Sequence, residues 1–336
     1  MNMSKSSFAN RLWSADPDAT KLWRGYVYAA ITVIIWVGFI LIAKASSHGV
    51  LSGLDIAAVR IIGSACVLLP TGYLIHKRNR LGHAFNKHSD SFGGLSPLGW
   101  SLTLKIGLFG GLLYATLAYS GFFFAPASHA SVLLPGSLPL WTSIIAWLVM
   151  GDKTKGARLI GLLLILCGDL IVGGPSLLHA LDHFDVGLGD LLFVSASISW
   201  SYYTVLVRQH KVNPVYATTA ITVFAFFTYL PGYFFLCYFG FLKSNLLNAP
   251  TEFLLFQMIF QGVFSVVVSG ITFNQMVRYF GPVKTTMFTA AVPGLSAIGA
   301  GLLLDESLSS TVMLGLLLVT LGIFFGVTSQ TKKSSQ

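Results

Sequence analysis

The chain has 336 residues, 54% of them hydrophobic and only 10% charged, with a mean hydropathy of +0.74. A soluble domain carries about 25% charged residues, so this chain cannot clothe a water-facing surface. That excludes a soluble globular enzyme and points to an all-α integral membrane protein. The net charge of +9 invites a nucleic-acid reading. The cations, however, are spread over alternate loops and are not gathered with aromatics into a groove, so nucleic acid is not an expected partner.

Residues 1–24 are polar and mixed in charge (Arg11, Asp16, Asp18, Lys21, Arg24). They lack the apolar core and small-residue cleavage site of a signal peptide and read as a cytoplasmic tail. A span needs about 20 mostly apolar residues to cross roughly 30 Å of hydrocarbon. Segments meeting that rule fall at 25–44, 54–75, 99–122, 128–150, 157–175, 189–209, 215–238, 254–278, 284–304 and 311–328. Residues 176–188 are left as a periplasmic connecting loop and 329–336 as a cytoplasmic C-terminal tail. Cys66, Cys167 and Cys237 each lie in an apolar run without C-x-x-C spacing, which argues against disulfides and zinc.

In the first span Trp36 lies about 11 residues from the boundary, roughly 16 Å deep, too deep for an interfacial anchor. Arg60 in the second span lies roughly 9 Å below the outer boundary. It is the best candidate for recognising an anionic group, with Asp55 as the competing partner. Tyr114 and Tyr119 in the third span and His129 at the start of the fourth are polar groups that must face protein or a wet cavity. The fourth span also carries Pro139 and Trp141. A proline removes a helical N–H bond and kinks the helix, so Pro139 reads as a hinge.

The stretch GDKTKGARLIGLLLILCGDLIVG at 151–173 begins like a phosphate loop but lacks the closing Lys. No Gly-Lys pair occurs in the chain, so ATP-driven work is not expected of it. Lys153, Lys155 and Arg158 read as an anchor on the cytoplasmic side. Asp169 lies about 12 residues beyond the start of that span, near 18 Å along the helix; an outer-side ion pair or hydrogen-bonded contact is expected there, with a coupling site as the alternative. HALDHFD at 179–185 spaces His179 and His183 one turn apart, yet no third fixed ligand is evident, so a solvated loop is expected and no metal site. The sixth span carries Trp200 at the depth of Trp36, with Tyr203 one turn on. The eighth carries Asn274 and Gln275, which need helix–helix hydrogen bonds or a cavity. Pro293 in the ninth span reads as a second hinge. No nucleophile elbow or triad appears, so no enzyme is expected, and neither is a cofactor.

The cations divide unevenly. With both ends cytoplasmic, only Lys44, Arg60 and Lys243 of the 21 lysines and arginines fall on the outer half. Basic loops stay cytoplasmic, so the expected location is the cell inner (plasma) membrane, multi-pass, with both termini inside.

The chain also repeats. At an offset of 154, Pro139 meets Pro293, Asp152 meets Glu306, Gly161 meets Gly315 and Gly168 meets Gly322. At an offset of 164, Trp36 meets Trp200 and Lys44 meets Arg208. The expected fold is therefore ten transmembrane helices as two five-helix repeats, 25–175 and 189–328. An odd number of spans per half inverts one half against the other, the plan of many secondary transporters.

The run from Pro139 to Gly168 and its second copy at 280–315 resemble the EamA repeat of the drug/metabolite transporter superfamily. Trp36, Arg60 and GDLL at 189–192 leading to Trp200 fit the same pattern. The resemblance covers roughly residues 25–328. It implies a ten-helix inner-membrane carrier of a small metabolite, most often an amino acid or related solute that is exported. The sequence departs from the pattern at Asp152, where Glu is usual, and at Asp305, where Gly is usual. The expected function is alternating-access transport with the bilayer and a small-molecule substrate as partners. A nucleotide-sugar or phosphate-ester exchanger, or a membrane scaffold or receptor, is the rival reading.

Overall fold

A computed structural model describes residues 22–45, 50–81, 90–125, 127–180, 184–303 and 310–328. Ten helical rods follow in chain order: α1 (Leu22–Ala45), α2 (Gly53–Leu81), α3 (Trp100–Gly121), and α4, which is built from Ala127–Ser131, a π-helical turn Val132–Gly136 and a second helix Leu138–Met150. Then come α5 (Ala157–Ala180), α6 (Phe184–Gln209), α7 (Pro214–Tyr238), α8 (Thr251–Phe280), α9 as two pieces (Pro282–Thr289 and Val292–Leu303), and α10 (Ser310–Thr328). Eight of these stretches have an apolar window long enough to cross a bilayer, and Met313–Thr328 adds a shorter one.

The surface is apolar where a water-soluble protein would be charged. Ile34, Leu148 and Phe324 are each more than 60% exposed, while Thr32, Thr142, Ser197 and Ser201 are buried. Hydroxyls bridge helices inside the bundle: Thr32 to Thr272 at 2.7 Å, Thr142 to Ser201 at 3.1 Å. With hydrocarbon outside, polar groups gain only by facing one another.

The inverted repeat is visible as packing. A Cβ added to Gly161 would lie 2.5 Å from the Gly322 carbonyl oxygen, and one on Gly168 would lie 2.6 Å from that of Gly315. Exchanging each glycine for its repeat partner turns one contact into the other. This is the signature of a two-fold axis between α5 and α10, whose backbones meet without intervening side chains. The same symmetry widens α3 at the π-helical Leu108–Leu112 and α8 at Met258–Val268. There Gly111 meets Ile221 of α7, and Gly262 meets Gly63 of α2.

Two sequence expectations change. Pro139 and Pro293 do not kink continuous helices. Each lies one residue into the second piece of its rod, after Ser137 in α4 and after the turn at Ala290–Ala291 in α9. A proline there forgoes an N–H that the first helical turn leaves unused, so the prolines start half-helices. The 176–188 loop is also shorter than expected. Helix α5 runs through Gly173-Gly174-Pro175 to Ala180, and α6 begins at Phe184. Membrane helices tolerate such breakers because surrounding structure re-satisfies the freed backbone groups. His183 and Asp182 lie outside the described residues, as do Asp305 and Glu306.

The GDKTKG link closes α4 with Gly151 in the left-handed region (φ 71°), and Asp152 pairs with Arg158 at 3.5 Å. At the start of α2, Ser52 and Asp55 form a reciprocal capping box. The Asp55 N–H donates to Ser52 Oγ at 3.1 Å, and the Ser52 N–H donates to Asp55 Oδ2 at 2.9 Å.

Candidate functional site

Two adjoining cavities of about 560 and 590 Å³ open inside the bundle. Arg60, Tyr114, Trp200 and Ser265 line both, so they stand at the junction. The first cavity is completed by Trp36 and Phe39 of α1, by Leu134, Pro135 and Leu138 around the break in α4, and by Val292 at the break in α9. Both half-helix starts therefore reach its wall. The second cavity extends between α2, α3 and α7, past Tyr203, Thr218 and Thr222.

Aromatic rings form the floor of the junction. Trp200 packs 4.8 Å from Tyr114, 4.9 Å from Tyr203 and 5.6 Å from Phe273 between ring centroids. Trp36 stacks on Phe273 at 5.5 Å and 16°. Its Nε1 donates to Ser269 Oγ at 3.2 Å. Trp200 Nε1 is buried with no acceptor among the described residues, and so is the Thr222 hydroxyl. Unused polar groups at a cavity wall are what a ligand can bind.

Arg60 supplies the charge. Its Nη1 donates to Tyr119 Oη at 3.0 Å, and its guanidinium lies 5.8 Å from the Phe39 ring centroid. Asp55, the partner weighed from sequence, is engaged elsewhere. It is fully buried and accepts from the Ser52 N–H, from the Tyr233 hydroxyl and from the Asn245 N–H at 3.4 Å. Arg60 has no carboxylate partner among the described residues, and no acidic residue among them lines either cavity.

Of the residues singled out in the sequence, Trp36, Arg60, Tyr114, Trp200 and Tyr203 gather at the cavities. Tyr119 stands behind Arg60 and holds it. His129 is turned to Asp190, Nδ1 to Oδ1 at 2.7 Å, away from both cavity linings. Asn274 binds the Tyr203 hydroxyl and donates to the Gly270 carbonyl at 2.9 Å, making it a clamp between α6 and α8. Trp141 and Gln275 line neither cavity, and Trp141 Nε1 is buried without an acceptor among the described residues. Asp169, expected to be paired, has no hydrogen-bond partner for either carboxyl oxygen among those residues. Sequence reasoning passed over Phe39, Ser265, Phe273 and Thr222. Ser265 and Ser269, spaced one helical turn apart on α8, were the available signal.

Comparisons with known proteins agree with this architecture. The EamA-like transporter family model matches residues 23–174 and again 187–328. An uncharacterized transporter of Clostridium kluyveri is 21% identical over 323 residues, covering 92% of this chain and 94% of its own. The uncharacterized transporter YyaM of Bacillus subtilis is 24% identical over 230 residues, 65% of this chain and 69% of its own. A solved crystal structure shares the fold with a TM-score of 0.64 at 18% identity, over 90% of this chain and 96% of that one. With the family model matched once to each inverted half of a multi-pass bundle, this chain belongs to the EamA-like transporter family.

Proposed function

We propose that this chain is a secondary carrier that exports a small amino acid or related zwitterionic solute across the inner membrane, both termini cytoplasmic. The observation that carries the reading is Arg60: one guanidinium at the junction of two aromatic cavities, with no acidic neighbour among the described residues. A substrate carboxylate supplies the missing counter-charge, and charge-assisted hydrogen bonds of this kind are the strong ones. The rings of Trp36, Trp200 and Tyr114 take the side chain, and the faces of such rings also favour an ammonium group. A phosphate ester or nucleotide sugar carries more negative charge than one arginine answers, and among the described lining residues Arg60 is the one cation. The breaks in α4 and α9 bring half-helix starts to the cavity from both halves, the arrangement that alternating access uses. The orientation follows from the basic loops.

The test is counterflow in proteoliposomes with a labelled panel of L-amino acids. The expected result is saturable exchange of at least one of them, weakened in Arg60→Ala. Unchanged exchange of every transported amino acid in that variant overturns the assignment of Arg60.

A further inference from the structure

Asp169 is a buried carboxyl that lines neither cavity. It lies midway along α5, 3% exposed, with both carboxyl oxygens buried and unpartnered among the described residues. An ionised carboxylate in such a place is among the costliest groups to bury.

Among the described residues, no cation on the elements packed against α5 is paired with Asp169. Helix α10, the π-helical turn Val132–Gly136, Leu138–Met150 and Val292–Leu303 contain no charged residue. Ala127–Ser131 brings His129, which is bound to Asp190 of α6. The other charges of α6 are Asp185 in its first turn and Arg208 in its last, the latter donating to the Arg278 carbonyl at 3.2 Å.

What Asp169 does touch is Gly136. A Cβ added there would lie 2.8 Å from Oδ2 and 3.0 Å from Cγ. Gly136 closes the π-helical turn of α4, and the same segment presents Leu134, Pro135 and Leu138 to the first cavity. The carboxyl and the cavity thus meet different sides of one broken turn. The second half shows what the scaffold needs without this function. At the repeat offset Asp169 becomes Ile323 and Gly136 becomes Ala290. Where the acid is replaced by an apolar side chain, the glycine that admits it gains a methyl. The pair is therefore an addition to the first half and is not demanded by the fold.

We propose that Asp169 is a proton-binding site, and that its protonation is coupled to the cavity through the Val132–Leu138 segment of α4. The packed state holds the neutral acid against Gly136. Releasing the proton to water leaves a carboxylate, which requires the turn to move away and admit solvent, and that movement carries Leu134, Pro135 and Leu138 with it. The coupling rests on the carrier reading above; the proton site rests on packing alone.

Difference infrared spectroscopy of the purified full chain separates the two. The expected result is a carboxylic-acid C=O band at neutral pH that is lost in Asp169→Asn and retained at a shifted frequency in Asp169→Glu. Gly136→Ala, which crowds Oδ2 and leaves the acid in place, shifts the same band. A band unchanged in Asp169→Asn, or one that responds to Na⁺ and not to pH, overturns the proposal. In proteoliposomes, Asp169→Asn is expected to keep counterflow of each member of the labelled L-amino-acid panel that the unmodified protein exchanges, while losing the several-fold response of net uptake to an imposed pH gradient. An equal response in both proteins overturns the coupling. Absence of counterflow in the unmodified protein counts against the carrier reading, and the infrared band still decides the proton site.

Discussion

Trp36 and Trp200, equivalent positions in the two halves, meet edge to face with ring centroids 6.2 Å apart and planes at 70°. Helices α1 and α6 thus bring the same residue to the symmetry axis from opposite directions. The two indoles are not used alike. Trp36 Nε1 is bonded to Ser269, whereas Trp200 Nε1 has no acceptor among the described residues. Replacing Trp200 by Phe keeps a ring in the cluster and removes a donor. The expected effect is a rise in KM for the transported solute of about three- to ten-fold, from the ~1 kcal/mol of a typical hydrogen bond. Trp36→Phe loses a protein–protein bond and lowers thermal stability by a similar energy. Counterflow kinetics beside melting curves distinguish the two outcomes.

Arg60 should respond more sharply. Hydrogen bonds to a charged group contribute about 1.5–3 kcal/mol, so Arg60→Ala is expected to raise KM roughly ten- to hundred-fold. Tyr119→Phe removes the hydroxyl that Arg60 holds at 3.0 Å. It should raise KM less, because the guanidinium keeps its charge and loses one restraint. Equal effects of the two variants would show that Tyr119 has a role of its own.

Most of the fold was legible because its rules are coarse. Composition named the solvent, the 20-residue apolar runs placed the rods, and matched glycines and prolines exposed the repeat. The local breaks were less legible. Pro135 and Pro139 lie four residues apart, and periodicity alone does not say which of them interrupts α4; Pro139 proved to start a helix. Partnerships were least legible. Asn274 pairs with Tyr203 across 71 positions, and Asp55 with Tyr233 across 178. Such pairs depend on helix rotation, which an apolar membrane helix does not announce, since hydrophobic residues ring its whole circumference.

The glycine crossing of α5 and α10 makes a stability prediction. Gly161→Ala would place a methyl 2.5 Å from a backbone carbonyl oxygen, which no rotamer change can relieve. Overpacking of this kind costs about 1–3 kcal/mol. Gly161→Ala and Gly322→Ala should each lower the melting temperature of the detergent-solubilised protein. Gly232→Ala, where no neighbouring atom lies within 4 Å, should not.

Asp55 gives a contrasting case. Its carboxylate joins the start of α2 to Tyr233 of α7 and to the Asn245 backbone. Asp55→Asn should destabilise the protein by about 1–3 kcal/mol, the range for a buried polar group left unsatisfied. KM should stay unchanged, because Asp55 does not line either cavity. A changed KM at unchanged stability would link this cluster to substrate entry.

The seam between α5 and α10 has a mechanical consequence. Side chains that interlock can slide past one another by exchanging rotamers; bare backbones pressed together at Gly161, Gly168, Gly315 and Gly322 have no such slack. Such close backbone contacts oppose translation along the seam more than a small swivel about it. If the halves rock, this crossing is their fulcrum, and the broken rods α4 and α9 are the lever arms whose free ends sweep the cavity wall.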